Sequence, residues 1–250
     1  MLGKLIKYDL MADWKKYSAL YAATLLVSIM LAVTIEISEK MTNNRFLELM
    51  EIVFASVFMV LISAILILTI AFTVMRFYNN VMKDEGYLTH TLPVHTWQIM
   101  LSKLISSYIW FLSAVIVGCI CIGLSAGKPL EVFRVIIDGL NNMMDSDRQS
   151  FAILAAMVIL SPFFLLSHIY FCFALGNLSS SRKMGTSVLA FFGINIAENI
   201  LSAFAIEYIT LVDLQKAENI MYLTLAASFL FAVGYFFAAE RIFAKKLNLE

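Results

Sequence analysis

Six long apolar runs, at 18–37, 52–75, 104–124, 151–175, 186–206 and 219–239, constrain this chain more than any other feature. A helix that crosses the hydrocarbon of a bilayer needs about 20 mostly apolar residues at 1.5 Å each. Lipid offers no hydrogen-bond partners, so runs this continuous must satisfy their backbone internally, which they do as helices rather than as barrel strands. The predicted fold is an all-α integral membrane protein with six transmembrane helices. Composition agrees, since 61% hydrophobic against 14% charged residues excludes an ordinary cytosolic enzyme. No internal repeat, low-complexity tract or Pro/Gly linker divides the sequence, and 1–250 is expected to be a single membrane domain. Pro162, inside the fourth run, is expected to kink its helix. Mixed residues including Lys4, Lys7, Lys15 and Lys16 precede the first run and no small-residue cleavage site follows it, so no removable signal peptide is expected.

Orientation follows from the basic residues. Lys4, Lys7, Lys15, Lys16, Arg76, Lys83, Lys103, Arg182, Lys183, Arg241, Lys245 and Lys246 fall on one side of the predicted topology. Lys40, Arg45, Lys128, Arg134, Arg148 and Lys216 fall on the other. The richer side holds both termini, which are therefore predicted to be cytoplasmic.

Two flanking segments read as amphipathic. At the N-terminus Leu2, Ile6, Leu10 and Tyr17 roughly oppose Lys4, Lys7 and Lys15, with Asp9 and Asp13 interrupting the apolar side. This predicts a surface-lying N-terminal interfacial helix. Between the third and fourth runs, Pro129 suits a first helical turn, and Leu130, Phe133, Ile136, Ile137, Leu140, Met143 and Met144 recur at helical spacing. Such a segment would lie in the outer interface, as a cap on the bundle or as a contact for substrate or lipid.

Several chemistries lack their motifs. The histidines His90, His95 and His168 have no acidic residue at metalloprotease spacing, and Cys119, Cys121 and Cys172 lie inside apolar runs as small core residues. No metal site is expected. The nearest text to a P-loop, G-L-S-A-G-K-P at 123–129, lacks both the glycine spacing and the hydroxyl that phosphate and Mg²⁺ require. The chain is not expected to be an enzyme or to hold a cofactor, and energy from ATP would have to arrive through a separate subunit.

The stretch 76–103, R-F-Y-N-N-V-M-K-D-E-G-Y-L-T-H-T-L-P-V-H-T-W-Q-I-M-L-S-K, reads as a compact cytoplasmic elbow. A helix leaves the membrane and ends before Gly86, a short piece stops at Pro93, and Thr96 is a predicted N-cap for the third helix. Asp84, Glu85, Tyr87 and Leu88 at its tip combine charge with an apolar anchor, a mixture that suits partner docking as well as a solvated turn.

The text D-E-G-Y-L-T-H-T-L-P followed by W-Q-I-M-L-S-K, and the opening M-L-G-K-L-I-K-Y-D-L, resemble ABC-2-type permeases, especially the short six-helix ones of Gram-positive bacteria. Helix count and orientation extend the resemblance over the whole chain. It implies that the first cytoplasmic connection is a coupling helix pressed into a groove of a separate ATPase subunit, which binds the ATP and Mg²⁺, with the N-terminal interfacial helix beside it. Carried onto this sequence, that places Lys83, Asp84, Glu85, Gly86 and Tyr87 at the ATPase. The resemblance also implies a second permease subunit, identical or paralogous, and favours amphipathic or antimicrobial peptides as cargo. The outer connection at 207–218 is short beside the extracellular elaborations of eukaryotic relatives. A competing reading is a non-transporting membrane sensor or scaffold, and no feature points to nucleic acid.

Glu198 is the charge left within a spanning run, where a central carboxylate costs roughly 2.5 to 3.5 kcal/mol. Asn195, Glu198, Asn199 and Ser202 share one stripe of the fifth helix. That stripe suits a transport pathway, a buried polar cluster with Glu198 protonated, or a proton or ion site. His168 is the obvious candidate partner, but helix rise places the two about 10 Å apart in depth. A bond from His168 to Ser167 or to a backbone carbonyl is expected instead.

Overall fold

A computed structural model describes residues 2–40, 44–79, 95–126, 134, 137–139, 141, 145–179, 183–211 and 217–246. Six long helices account for nearly all of them: α1 (Leu2–Lys40), α2 (Arg45–Phe77), α3 (Thr96–Ser125), α4 (Asp145–Asn177), α5 (Lys183–Leu211) and α6 (Ala217–Lys246). The described residues are all but entirely helical, and all six helices are long and apolar enough to cross a membrane. Each predicted run lies inside one of them.

Local chemistry sets the helix boundaries. Asn44 caps α2, its side-chain oxygen accepting the Phe46 N–H at 3.2 Å and its carbonyl the Leu47 N–H at 2.9 Å. At α3 the expected cap is corrected by one residue: Thr96 is already helical, and the His95 carbonyl accepts the Gln98 N–H at 2.9 Å. Helix α4 runs unbroken through Pro162. The proline ring has no N–H to offer the Val158 carbonyl, and Ser161 Oγ donates to that oxygen instead at 2.9 Å. Ser161→Ala should therefore lower thermal stability by about 0.5 to 1.5 kcal/mol. In a Pro162→Ala background, where a backbone N–H takes over, the same change should cost much less; a melting series of the four proteins in nanodiscs checks it.

The N-terminal segment departs from expectation. No break separates 2–17 from the first apolar run; both belong to the single helix α1, in place of a distinct surface-lying helix. Past Gly3, in the first turn, the sequence contains no proline or glycine before the end of the helix that would stop helical propagation. Asp9 and Asp13 are buried, on the same face as Tyr17, Thr24, Ser28, Leu31 and Thr34. The outward face of the first turns carries Tyr8, Met11 and Trp14, interleaved with exposed Lys4, Lys7 and Lys15. Lys103 also differs from a loop cation: it lies within α3 and is only 7% exposed.

Tertiary contacts divide into two compact units. One contains Ile6–Thr73 and Ser106–Met143. Its interior is lined by polar and small groups as much as by hydrocarbon, with Thr24, Ser28, Thr69, Ser106 and Ser107 all buried. Thr24 and Ser28 return their hydroxyl protons to Leu20 and Leu25 carbonyls at 2.8 Å each, which lets them be buried without stranding a donor. Tyr17 stacks on Trp110 at 4.2 Å between ring centroids and donates its hydroxyl to the Thr69 carbonyl at 3.4 Å. Tyr21 hydrogen-bonds Ser113 Oγ at 2.9 Å. Small residues that allow close approach, with bonds between helices, are the usual means of joining helices in lipid. Leu31, Phe58 and Cys121 form a separate apolar cluster.

The other unit contains Met1–Leu5, Val74–Ile105 and Met144–Glu250. Phe77, Met100, Leu104, Tyr170, Phe173 and Phe243 are central to its core, with Phe77 stacked on Tyr170 at 3.8 Å. Helix α4 packs against both α5 and α6. Where α4 ends and α5 begins, Gly176 allows very close approach: a Cβ placed there would lie 2.6 Å from the Lys183 carbonyl oxygen and 2.9 Å from Ser187 Cβ. Thr186 Oγ1 shares its proton between the Lys183 carbonyl of its own helix at 3.0 Å and, across the same contact, the Gly176 carbonyl at 3.2 Å.

The predicted coupling elbow, Lys83, Asp84, Glu85, Gly86 and Tyr87, lies outside the described residues. Of the predicted outer amphipathic segment, Arg134, Ile137, Asp138, Gly139 and Asn141 are described and helical.

Candidate functional site

The site is built by three helices around Glu198. Helix α4 forms the floor through Phe164, and α5 and α6 form two walls that both pack on α4. Two adjoining hollows, of about 260 and 300 Å³, open along this groove, and Glu198, Ser202, Thr224, Ala227 and Phe231 line both. A mostly apolar concavity with a few convergent polar groups is the usual form of a ligand site.

Glu198 is half-buried and accepts a hydrogen bond from the Tyr235 hydroxyl of α6. Among the described residues it has no ion-pair partner. The Tyr235 ring is clamped in an aromatic cluster, stacked near Phe171 at 5.1 Å, His168 at 5.3 Å and Phe231 at 6.0 Å between centroids. Those rings restrict the tyrosine's swing, so its hydroxyl is held against the carboxylate.

The predicted stripe on α5 divides. Asn195 and Glu198 are half-buried, whereas Asn199 and Ser202 are exposed. Glu198, Asn199 and Ser202 line the groove. Asn195 turns its amide to its own helix, donating to the Phe191 carbonyl at 2.8 Å. Asn199 and Ser202 likewise donate to carbonyls of α5, at 2.7 and 2.9 Å. The stripe is thus no network of side chains bonded to one another; the side-chain bond to Glu198 comes from Tyr235 of α6.

His168 is 2% exposed and lies between the rings of Phe191, at 5.2 Å, and Tyr235. Its Nε2 has no hydrogen-bond partner among the described residues, unlike the expected bond to Ser167 or a carbonyl, and the Ser167 hydroxyl is likewise buried without one. Tyr235 stands between His168 and Glu198, its ring stacked near the imidazole and its hydroxyl on the carboxylate.

Tyr235, Phe231, Thr224 and Ser228 are the site residues that sequence reading missed. A signal existed: 224, 228, 231 and 235 recur at four, three and four residues, one face of α6. That face is inconspicuous because aromatics and hydroxyls are frequent throughout the apolar runs. No group of His, Cys, Asp and Glu able to hold a metal ion occurs among the described residues.

Comparison with family models, with curated proteins and with solved structures gives no match. What the fold defines is an all-helical protein with six candidate membrane-spanning helices.

Proposed function

We propose that this chain is the transmembrane subunit of an ATP-driven exporter, contributing to a translocation pathway as one of a pair and driven by separate ATPase subunits. The observation that carries the reading is the groove at Glu198, because it places a carboxylate, an amide and several hydroxyls on the open side of helices long and apolar enough to cross a membrane. Facing lipid, such groups are expensive; facing an aqueous or cargo-filled path, they are matched. A partner copy opposite α5 would supply the second wall, and α5 has no buried residue across its most apolar window. The resemblance of 84–93 and of the N-terminal text to ABC-2-type permeases supports coupling through Lys83–Tyr87 and a plasma-membrane location with cytoplasmic termini. Amphipathic peptides are the proposed cargo.

Co-expressed with its ATPase, identified as a P-loop protein without spans of its own in the adjacent reading frame, the chain should purify as a 2:2 complex by mass photometry. Reversing both Asp84 and Glu85 to Lys should abolish ATPase association while leaving membrane insertion intact, since added basic charge at that connection reinforces the expected topology. A fully active 1:1 complex, or normal association of the double variant, would contradict the respective part of the proposal.

A further inference from the structure

The polar groups of the α5–α6 groove have a common character that the pathway reading does not require. Ser202 Oγ donates its proton to the Asn199 carbonyl at 2.9 Å, Thr224 Oγ1 to Met221 at 2.9 Å, and Ser228 Oγ to Leu225 at 2.9 Å. Each hydroxyl has spent its one proton on its own helix and offers the groove only lone pairs. The Glu198 carboxylate takes the Tyr235 proton on one oxygen and retains further acceptor capacity. Among the described residues, apart from the second amide hydrogen of Asn199, the groove therefore offers acceptors. Anionic ligands find little to bond there.

Charge and shape narrow the occupant further. Glu198 has no ion pair among the described residues, and Lys183 at the start of the same helix lies about 22 Å away along its axis. Phe164 and Phe231 flank the carboxylate side of the groove, and rings of this kind attract cations over their faces. Beyond them Leu201, Ile220 and Leu223 continue the wall as plain hydrocarbon. We propose that the α5–α6 groove is a binding site for a primary ammonium group carried on an apolar body, with the ammonium at Glu198 and its N–H groups directed to Ser202, Thr224 and Ser228. The ammonium can be a lysine of an amphipathic peptide or the head of a cationic lipid. As a substrate class this rests on the pathway reading of the same groove; as a binding site it needs neither ATPase nor transport.

The test uses the chain alone in nanodiscs of zwitterionic lipid, with three photoactivatable dodecyl probes that differ only in their heads: primary ammonium, trimethylammonium and hydroxyl. The primary ammonium probe should label peptides of α5 and α6 at a concentration at least tenfold below that needed by the alcohol, with trimethylammonium intermediate because it lacks N–H donors. Glu198→Gln, which keeps an acceptor for Tyr235, should remove the preference over the alcohol. Thr224→Val should weaken labelling by the primary ammonium about threefold and leave the trimethylammonium probe unchanged. Equal labelling by all three heads in the wild-type protein, or a tenfold preference that survives Glu198→Gln, overturns the proposal. Displacement by a lysine-bearing amphipathic peptide, or by a lysyl-headed lipid, supports it and names the source; displacement by each that is no better than by its N-acetylated form overturns it. A chain that binds the probe but never couples to an ATPase would sink the exporter reading alone, and a coupled exporter without the head-group preference would sink this one alone.

Discussion

Gly176→Ala is expected to lower the stability of the purified protein by about 1 to 3 kcal/mol, although it adds a single methyl group. The new Cβ would meet Ser187 and the Lys183 carbonyl oxygen, the latter at 2.6 Å, far inside ordinary contact distance. A side-chain rotation of Ser187 cannot clear a backbone oxygen, so the end of α4 and the start of α5 must move apart and strain the Thr186–Gly176 bond. Gly193→Ala is the matched control, because nothing lies within 4 Å of its added Cβ, and it should fall within about 0.5 kcal/mol of wild type. Thermal unfolding of both in nanodiscs makes the comparison. Indistinguishable melting of the two variants would mean that the α4–α5 contact is looser than described.

Glu198→Leu should cost about 1 to 3 kcal/mol by leaving the Tyr235 hydroxyl without its acceptor inside a packed aromatic cluster. Asn195 and Asn199, the neighbours of Glu198 on the stripe, would not be stranded, because both amides donate to their own helix; Tyr235 is the group that loses its partner. Glu198→Gln retains an acceptor oxygen and should lose much less. In a Tyr235→Phe background the penalty of Glu198→Leu should largely disappear, and a double-mutant melting cycle measures that coupling. If the penalty persists undiminished without the tyrosine hydroxyl, the bond is not what holds the acid. Export by the variants asks a separate question: under the proposed function, Gln should impair cationic cargo more than neutral cargo at equal expression.

Helix existence was the most legible property, because twenty apolar residues in a row leave the backbone no other way to satisfy itself in lipid. The polar stripe on α5 was legible for a similar reason: a carboxylate in such a run is conspicuous. Its partner was not, since Tyr235 is one of ten tyrosines and nothing in local sequence tells which ring faces Glu198. Asp9 and Asp13 show another limit. In water, acids on an apolar stripe argue that the stripe is weak, but here the inward face of α1 is itself polar and the hydrocarbon side chains turn outward. A count of loop charges misplaces Lys103 for a related reason: it stands one residue before the apolar run, but the helix begins at Thr96 and buries it.

The continuity of α1 has a mechanical consequence. Residues 2–17 extend the helix about 24 Å beyond its apolar run, with no hinge residue between them. Such a projection is a lever arm: a tilt of the apolar run by about 10° would swing Leu2 sideways by about 4 Å. Tyr8, Met11 and Trp14 lie along the outward side of that arm, opposite the buried Asp9, Asp13 and Tyr17, and would carry any such tilt to the surface that borders them.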